Sequence, residues 1–546
     1  MEPAITGHEA IDHNDLPVHT WRVARLTRLG IPALLPSRKE GAMKGSISRS
    51  AVVVSLMGAL LAVAGPPTTS TPTARAASWC APSLFRPPTS PAFATTTWPT
   101  EHADTWRTHA AATGLPAGVG RLKLRAVAAK LPPVPVWGYV GEGRDVYVVG
   151  GAPYLLDMFT KLIEGAPSAS IPLLVAKSRA YSKTMTPYVA RIDTKTMKVD
   201  VIKLRRGTSI NYTGGLLVHS NGYLYAVARS VLYKIDPSTF AIVRSKRLPL
   251  APNSSGKPNE NTAYNGIQAT PNGDLILKGW ASTGGGDNAP GVLLRVDPND
   301  LSIKVRSFSS NVASARMVLA VTGGRQYLYF PNNTQSVRFR LEPKKFVYDR
   351  NWSQTYLTSG STTASSDVFM GDGVVFSSNT DPTATTPMRV FAEDTAGSKL
   401  DTTQAFASDR PSWNFFMMAG DPYKSGIVAV GDQLSGHIAG YLACAGGRTV
   451  QKLWENDSLK TTAGMAIDYK NHQLYVDDRR CMSRNRCRLF LIVLDLRTGR
   501  ELARVRVKGT KPSIGQIFIG PDAVYYTATD TNDPNGYVTR VTATRR

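Results

Sequence analysis

The chain contains 546 residues, of which 42% are hydrophobic, and this composition excludes an intrinsically disordered protein and indicates one with a sizeable core. Lysine and arginine total 64 residues and aspartate and glutamate 40, so the formal net charge is +24. This excess favours anionic partners, which include phosphates, acidic polysaccharides, nucleic acids and membrane surfaces, and charge alone does not choose among them.

An export signal is predicted near the N-terminus. The segment Met43–Arg49 is short and basic, and it is followed by an apolar run over Ala51–Ala64 and by the small-x-small cleavage pattern Ala74–Ala76. We therefore predict a true start at Met43, a signal peptide cleaved near Ala76, and a secreted or cell-envelope-associated protein. An uncleaved membrane anchor is the alternative, although the apolar run is short for a membrane span.

The signal divides the chain into three predicted segments. Residues 1–76 form a leader, residues 77–133 form an N-terminal extension, and residues 134–546 carry a set of repeats. We expect no transmembrane span in the mature chain, and we expect a monomer.

All four cysteines follow the leader, in a compartment that permits disulfide bonds. Cys481 and Cys487 are close in sequence and form the obvious pair. That pairing leaves Cys80 with Cys444, a bond that would attach the extension to the repeats. Four cysteines allow three connectivities, so other pairings stay open at this point.

A repeated unit runs from about residue 145 to the C-terminus. Each unit contains an apolar or alternating strand, such as Gly222–Tyr225, followed by a marker strand that ends in most units at an acidic residue. In the first five units these acidic residues are 43 to 61 positions apart. The eight marker strands are Tyr188–Asp193, Leu232–Asp236, Leu293–Asp297, Val337–Glu342, Arg389–Asp394, Ile438–Leu442, Leu491–Asp495 and Tyr537–Val541.

Repeats of this kind predict an all-β fold. Four-stranded units of roughly 40 to 50 residues, with no helices between them, are typical of β-propeller blades. We therefore predict eight four-stranded blades, with seven blades as the alternative. The aspartates that follow the marker strands are predicted to bond their own backbone in tight turns rather than to form a ring of catalytic acids.

The ends of the chain are predicted to close the ring of blades. The last unit, Gln516–Thr544, has three strands of its own, and the best candidate for its fourth strand is Gly120–Leu124 in the extension. A shared blade of this kind joins the first and last blades and removes exposed strand edges.

Four short stretches resemble a known family. Trp98-Pro99, Ala103–Arg107 and Gly118–Leu124 resemble the leading segment of the quinoprotein (pyrroloquinoline-quinone) dehydrogenases, and Asp495–Arg500 resembles part of their blade motif. The resemblance implies an eight-bladed propeller of PQQ-like repeats, with Ca²⁺ and pyrroloquinoline quinone in the central channel of an oxidoreductase. The tryptophan-docking pattern of that family is missing after Asp495, and its vicinal cysteine pair is missing as well.

Long insertions are predicted on one face of the propeller. The loops from second to third strands and the connections between blades open on the same face, here called the upper face. Loops on one end of a rigid scaffold usually carry function, with tolerated surface growth as the alternative. The insertions are Gly151–Met185, with a short helix over Tyr154–Ile163, then Ala281–Pro290, Ser377–Thr386 and Asp477–Arg488.

The insertion Asp477–Arg488 is the most specific of these features. A Cys481–Cys487 disulfide would restrict it and pre-organise its guanidinium groups, which bind carboxylates or phosphates through paired hydrogen bonds. The alternative is a solvated loop whose arginines pair with Asp477 and Asp478. The candidate anion-binding residues are Arg479, Arg480, Arg484, Arg486 and Arg488.

A second candidate site is the upper mouth of the central channel, where polar strand ends are predicted to meet. Carboxylates and carboxamides suit Ca²⁺ or sugar hydroxyls, and a tryptophan can stack on a flat ligand. Each residue singly is better explained as a polar strand end, but together they form the default site of a propeller. They are Asn211, Asn265, Lys278, Trp280, Arg316, Asp367, Trp413, Asn414, Asp432, Asp477 and Asp530.

These observations predict an exported propeller that binds a polar, anionic ligand on its upper face. The partner is a small molecule or a cell-envelope polymer, and nucleic acid is not expected. The alternative is an enzyme, either a quinoprotein-like oxidoreductase or a metal-assisted hydrolase of the lactonase kind, with its site at the channel mouth. The enzyme would need a deep pocket with convergent carboxylates, whereas the binding protein would have a wide or plugged channel and a basic rim. No catalytic motif identifies catalytic residues or a metal site.

Overall fold

The structure is a computed structural model that describes most of the chain from Cys80 to Arg545. The predicted leader, the predicted helix Tyr154–Ile163 and most of the first three predicted insertions lie outside the described residues. No helix in the described part is long and apolar enough to cross a bilayer. The residues that are not described are 1–79, 89, 144, 152–172, 175, 178–179, 181–183, 205–212, 254, 282–289, 313–314, 333, 357–366, 378–386, 398–399, 408–413, 415–416, 484–485, 511–514, 531–534 and 546.

Eight β-sheets of four main strands form the body of the molecule. The all-β, eight-bladed propeller predicted from the repeats is therefore confirmed, and the seven-bladed alternative is wrong. The extension contributes β1 (Ala110–Ala111), a 3-10 helix (Val119–Arg121) and β2 (Leu122–Leu131). 

The first four blades follow one another along the chain, each running from the channel outward. Blade 1 contains β3 (Pro135–Val140), β4 (Asp145–Gly150), β5 (Tyr188–Asp193) and β6 (Val199–Lys203). Blade 2 contains β7 (Thr213–Val218), β8 (Leu224–Ala228), β9 (Val231–Asp236) and β10 (Ala241–Arg247). Blade 3 contains β11 (Thr262–Ala269), β12 (Leu275–Ala281), β13 (Gly291–Val296) and β14 (Ile303–Ser309). Blade 4 contains β15 (Val318–Thr322), β16 (Arg325–Pro331), β17 (Ser336–Leu341) and β18 (Phe346–Tyr348).

The last four blades complete the ring. Blade 5 contains β19 (Asp367–Phe369), β20 (Gly373–Ser377), β21 (Arg389–Asp394) and β22 (Leu400–Gln404). Blade 6 contains β23 (Met418–Asp421), β24 (Ile427–Gly431), β25 (Ile438–Ala443) and β26 (Val450–Asn456). Blade 7 contains β27 (Ala466–Asp468), β28 (Gln473–Ser483), β29 (Arg486–Asp495) and β30 (Glu501–Val507), with β1 paired in parallel to β27. Blade 8 contains β31 (Ile517–Gly520), β32 (Ala523–Thr529) and β33 (Gly536–Arg545), with β2 as its outer strand.

Burial along each blade follows from its place in the ring. The second strands β8 and β24 are buried at every position, because each blade packs against a neighbour on both faces. Strands buried on both faces appear in the sequence as continuous apolar runs. The outer strand β10 is exposed throughout. The core therefore lies between the inner halves of neighbouring blades.

The extension closes the ring as predicted. Strand β2 pairs antiparallel with β33 from Leu122 opposite Arg545 to Leu131 opposite Gly536. The pairing is longer than the predicted segment Gly120–Leu124. Strand β2 therefore supplies the fourth strand of blade 8 from the N-terminal part of the chain. The pairing joins the two ends of the propeller and covers the free edge of β33.

The predicted loop Asp477–Arg488 is a strand hairpin instead. Strand β28 continues to Ser483, and strand β29 begins at Arg486. Cys481 lies directly opposite Cys487 in the strand pairing. The prediction of a long loop is wrong because backbone pairing extends the hairpin past the core. The predicted backbone role of the turn aspartates is confirmed, since Asp495 accepts hydrogen bonds from the backbone N–H groups of Arg497 (2.9 Å) and Thr498 (3.0 Å).

Two disulfide bonds are present in the pairing that the sequence favours. Cys481 is bonded to Cys487, across the tip of the β28–β29 hairpin. Cys80 is bonded to Cys444, 364 positions away, and so attaches the start of the described chain to blade 6.

A carboxyl group is buried in blade 5 beside blade 4. The side chain of Glu393 in β21 is 0% exposed. Burial raises its pKa to about 8, the neighbouring carboxylate of Asp394 adds to this shift, and Ser336 and Arg338 of blade 4 oppose it. The folded protein therefore favours the protonated form of Glu393 at neutral pH.

The buried Glu393 makes stability depend on pH. Because its pKa in the folded state lies above the ordinary value of 4.5, the fold loses stability as the pH rises from there to about 8. The neutral isostere Glu393→Gln does not lose stability in this way. The free energy of unfolding of Glu393→Gln minus that of the wild type should therefore be at least about 1 kcal/mol larger at pH 8 than at pH 5. Urea unfolding at pH 5, 6.5 and 8 measures this difference. Glu142→Gln, at an exposed position, is the control. If Glu393→Gln differs from the wild type by the same free energy at every pH, the raised pKa of Glu393 is contradicted.

Candidate functional site

Residues 94–111 of the extension, here called the strap, run along the inner strands of the blades. The hydroxyl of Thr97 donates to Ile519 of blade 8 (2.8 Å), and the strap then visits blades 1, 2, 4, 5, 6 and 7 in turn. Seven backbone N–H groups of these blades donate to strap carbonyls: Val140 to Trp98 (3.0 Å), Val218 to Pro99 (2.7 Å), Leu319 to Thr105 (2.8 Å), Phe369 to Trp106 (3.0 Å), Gly420 to Thr108 (2.8 Å), Ile467 to His109 (2.8 Å) and Tyr469 to Ala111 (3.1 Å).

These bonds have a simple physical reason. The first strand of every blade is a sheet edge that faces the channel, and its backbone groups need partners once water is excluded. The strap supplies carbonyl oxygens at the required positions by following the curve of the ring. To do so it holds four residues at positive φ, namely His102 (63°), Ala103 (78°), Arg107 (59°) and His109 (53°). Left-handed backbone is unfavourable for such residues and persists only where the surroundings enforce it.

The strap carries a buried network of charged side chains into the channel. Arg107 Nη1 lies 2.6 Å from Asp367 Oδ1 of blade 5, and Arg316 Nη1 of blade 4 lies 2.9 Å from Glu101 Oε2. The second oxygen of Glu101 lies 2.6 Å from His102 Nε2. All of these side chains are at most 9% exposed, so their charges are stabilised mainly by one another.

Burial sets the protonation preferences in this network. It raises the pKa of Asp367 to about 6, an effect that Arg107 and Lys278 oppose. It also raises the pKa of Glu101, against the opposing charges of Arg316 and Arg107. For His102 and Lys278 burial lowers the pKa well below its ordinary value, and the neighbouring arginines lower it further.

The structure brings some of the predicted channel-mouth residues together. Lys278, Arg316 and Asp367 share the buried network, and the backbone carbonyl of Asn265 accepts a hydrogen bond from Arg316. Trp280 is 8% exposed. Asn414 bonds both backbone groups of Met417, at 2.7 and 3.1 Å. Asn211 and Trp413 lie outside the described residues.

The remaining predicted mouth residues serve local structure. Asp432 accepts hydrogen bonds from the backbone of its own loop at Leu434 (3.0 Å). Asp477 is buried and accepts the backbone N–H groups of Thr462 (2.7 Å) and Ala463 (2.9 Å). Asp530 accepts the hydroxyl of Thr510 (2.8 Å). These three carboxylates hold turns and blade connections, and they do not converge on the buried network.

The strap residues that complete the network were not among the residues predicted from the sequence. Glu101, His102 and Arg107 lie in the extension, and their partners Arg316 and Asp367 are 215 and 260 positions away. The available signal was the run of charged and histidine side chains in a segment otherwise rich in alanine, threonine and proline.

The implied quinone and Ca²⁺ do not fit this part of the channel. The cavity lined by Glu101, His102, Arg107 and Arg316 has a volume of about 10 Å³, which is room for about one water molecule. Ca²⁺ takes about six to eight oxygen ligands, whereas Glu101 and Asp367 are each already paired with an arginine. Within the described residues no cluster of three or more His, Cys, Asp or Glu side chains could hold a metal ion.

A basic pocket lies on the upper face between blades 6 and 7. It has a volume of about 350 Å³ and is formed by the β24–β25 loop, the connection between the two blades, and the β28–β29 hairpin. Lys460, Arg479 and Arg480 line it together with Ser435 and Thr462. This pocket contains two of the five predicted anion-binding arginines.

Hydrogen bonds hold two of its cations in place. Arg480 Nε donates to Asp478 Oδ2 (2.7 Å) and its Nη2 donates to the carbonyl of Ser458 (2.7 Å). Lys460 Nζ donates to the carbonyl of Ser435 (2.9 Å). The alternative pairing of arginines with aspartates therefore occurs for Arg480 with Asp478. Of the other predicted arginines, Arg488 is exposed, and Arg484 and the side chain of Arg486 lie outside the description.

Comparison with known proteins places the fold. No protein-family model matches this chain, and no curated protein matches it. The quinohemoprotein alcohol dehydrogenase ADHIIG of Pseudomonas putida HK5 is 9% identical, with a TM-score of 0.52 over 82% of this chain and 80% of that chain. A europium-containing methanol dehydrogenase is 11% identical, with a TM-score of 0.51 over 81% of this chain and 90% of that chain. The chain thus has a quinoprotein-dehydrogenase-like propeller fold, and at these identities the likeness extends to the fold alone.

The buried ion pair between strap and blade 5 should be strongly coupled. Arg107→Met leaves Asp367 buried without its ion-pair partner and should destabilise the protein by about 3–5 kcal/mol. The double variant Arg107→Met with Asp367→Leu should recover most of this loss, because the buried carboxylate is then removed together with its partner. Denaturant unfolding measures both, with Arg340→Met as the control, since Arg340 and its partner Glu342 are 37% and 28% exposed and their pair should contribute much less than the buried pair. Equal losses for the single and double variants would refute the coupling.

Proposed function

We propose that this protein is a binding propeller that takes a small anionic ligand in the basic pocket of its upper face. The observation that carries the proposal is the placement of Lys460, Arg479 and Arg480 around one pocket of about 350 Å³. A volume in this range suits a small molecule, and a few well-placed polar groups at its wall supply orientation. A cell-envelope polymer is the other partner class that the net charge favours.

The charges around the pocket support an anionic ligand. Asp478 is fully buried, and its carboxylate is used by Arg480 (2.7 Å) and by the backbone N–H of Lys460 (3.0 Å). The described lining residues of the pocket include three cations and no carboxylate, and the nearby carboxylates of Asp432, Asp477 and Asp478 accept hydrogen bonds from Ser435, Thr462 and Arg480. Arginine favours phosphate and carboxylate because its planar group donates two parallel hydrogen bonds.

Pre-organisation further supports the proposal. The β28–β29 hairpin carries Arg479 and Arg480 on a paired strand, and the Cys481–Cys487 disulfide closes its tip. A rigid hairpin reduces the ordering that a ligand would otherwise have to impose, so more of the interaction energy appears as affinity. The buried network gives the quinoprotein alternative no comparable support, because the part of the channel around Glu101 and Arg316 fits neither the quinone nor Ca²⁺.

The pocket can be tested with isothermal titration of inorganic phosphate and of glucose 6-phosphate. The double variant Lys460→Gln with Arg479→Gln should bind at least about ten-fold more weakly, because two charge-assisted hydrogen bonds are lost. Arg488→Gln removes an exposed arginine from the same hairpin outside the pocket and should stay within about two-fold of the wild type.

Two results would refute the anion pocket. One is the absence of binding of either phosphate at millimolar concentration. The other is an equal loss of affinity in the Arg488→Gln control, which would indicate attraction by the general positive charge. If an acidic polysaccharide matrix retains the wild type and the double variant to the same extent, the polymer binds outside the pocket.

We also propose that the chain is exported and cleaved near Ala76. The two disulfide bonds support this, because such bonds persist in oxidising compartments outside the cytoplasm. N-terminal sequencing of the protein released by an expressing cell should begin at Ala77 or Ser78, and Ala76→Arg should block the cleavage. Recovery of the wild type from membranes with its leader intact would favour the anchor instead.

A further inference from the structure

A second cavity lies on the lower face, opposite the basic pocket, where first strands turn into second strands. This lower bowl has a volume of about 810 Å³. Its floor contains Ala103, Asp104 and residues 110–111 of the strap, together with Ala112. Its wall is formed by residues of the extension, namely Pro87, Pro88, Ser90, Pro91, Phe93, Ala94, Thr95, Thr96, Thr97 and Pro99. Tyr423 of blade 6, Tyr469 of blade 7 and Ser220 of blade 2 complete its rim.

The floor of the lower bowl is rigid. The hydroxyl of Tyr423 donates to Asp104 Oδ2 (2.6 Å), and the ring of Trp106 stacks on that of Tyr423 with centroids 6.2 Å apart. The ring of Tyr469 meets Tyr423 edge-on at 5.0 Å. The strap bond from Gly420 to Thr108 (2.8 Å) holds the same region to blade 6. A ligand would therefore meet a surface that is already formed.

The lower bowl offers no free charge. Asp104 is its one ionisable carboxylate, and its oxygens already accept hydrogen bonds from Trp106 N–H (2.9 Å), Thr108 N–H (3.1 Å), Thr108 Oγ1 (2.5 Å) and Tyr423 Oη (2.6 Å). No lysine, arginine or histidine is among its described lining residues. In a chain with a net charge of +24, a pocket without cations favours an uncharged ligand.

One hydroxyl group of the lower bowl is buried without a partner in the described part of the chain. This group is Ser90 Oγ. Tyr469 lines the bowl as a half-buried residue, whereas the hydroxyl of Tyr423 is used by Asp104. A buried polar group without a partner is unfavourable, so a ligand that bonds Ser90 Oγ would gain affinity.

We propose that the lower bowl binds a neutral sugar, either a single ring or a short uncharged oligosaccharide. A sugar ring has an apolar C–H face that can pack on the Tyr469 ring, the alanines of the floor and the prolines of the wall. Its hydroxyl edge can bond Ser90 Oγ and Tyr469 Oη as donor or acceptor, since both are hydroxyls. The volume lies within the range of small-ligand sites. This site is independent of the basic pocket and takes a ligand of different chemistry.

Saturation-transfer difference NMR on the full mature chain tests the site. The probes are cellotriose, maltotriose, mannotriose and triacetylchitotriose, with the anionic sialyllactose for comparison. We expect binding of at least one neutral trisaccharide. Tyr469→Ala should weaken it by at least about ten-fold, and Tyr469→Phe, which keeps the ring and removes the hydroxyl, by about three- to ten-fold.

Controls separate a local effect from a loss of fold and from the proposed anion pocket. Tyr348→Phe, on the outer strand of blade 4, and Lys460→Gln, in the basic pocket, should both leave trisaccharide binding unchanged. Circular dichroism and the intrinsic tryptophan fluorescence should show that Tyr469→Phe is folded. Absence of binding of every neutral trisaccharide at 10 mM (on the order of the weakest specific affinities) would overturn the proposal. So would unchanged binding in Tyr469→Ala, or binding of a proline-rich decapeptide in place of the sugars.

Discussion

The structure depends on how the inner edges of the blades are satisfied. Each first strand presents an unpaired edge to the channel, and an edge of this kind is unfavourable unless water or another chain segment bonds to it. The strap provides that partner for six blades, through one carbonyl in each of blades 1, 2, 4, 5 and 6 and two carbonyls in blade 7. Closure by β2 and the Cys80–Cys444 bond hold the strap at both ends. Ring closure and channel filling are therefore carried out by one continuous extension.

Filling the channel with polypeptide determines the electrostatics inside it. The strap brings Glu101 and Arg107 to a region where Arg316 and Asp367 are also buried, and each charge is placed against an opposite one. Removing two charges from water is unfavourable, and only close pairing compensates for it. Carboxylates used in this way cannot also serve as open metal ligands. The likeness to quinoprotein dehydrogenases thus concerns the scaffold, while the chemistry of the described channel is that of an internal ion-pair network.

The two faces of the propeller differ in chemistry because different parts of the chain build them. On the upper face, the extended β28–β29 hairpin and the blade connection carry cations to the rim of a pocket. On the lower face, the extension covers the ring with alanine, proline and threonine, and the blades add two tyrosines. The resulting lower bowl has one carboxylate that is fully bonded. The proposed ligands, an anion above and a neutral sugar below, follow from this division.

The sequence by itself determined the eight blades, their marker strands and the closing strand, because these depend on local apolar patterning and on a repeat of nearly constant length. It also indicated the turn role of Asp495 and its counterparts, which is a short-range hydrogen bond. The tertiary structure decided what lies in the channel. Glu101 and Arg316 are 215 residues apart, and no local pattern reports that a strap will carry one to the other. For the same reason Asp477 and Asp432 looked like open ligands, since only the folded chain reveals the backbone N–H groups that already bond them.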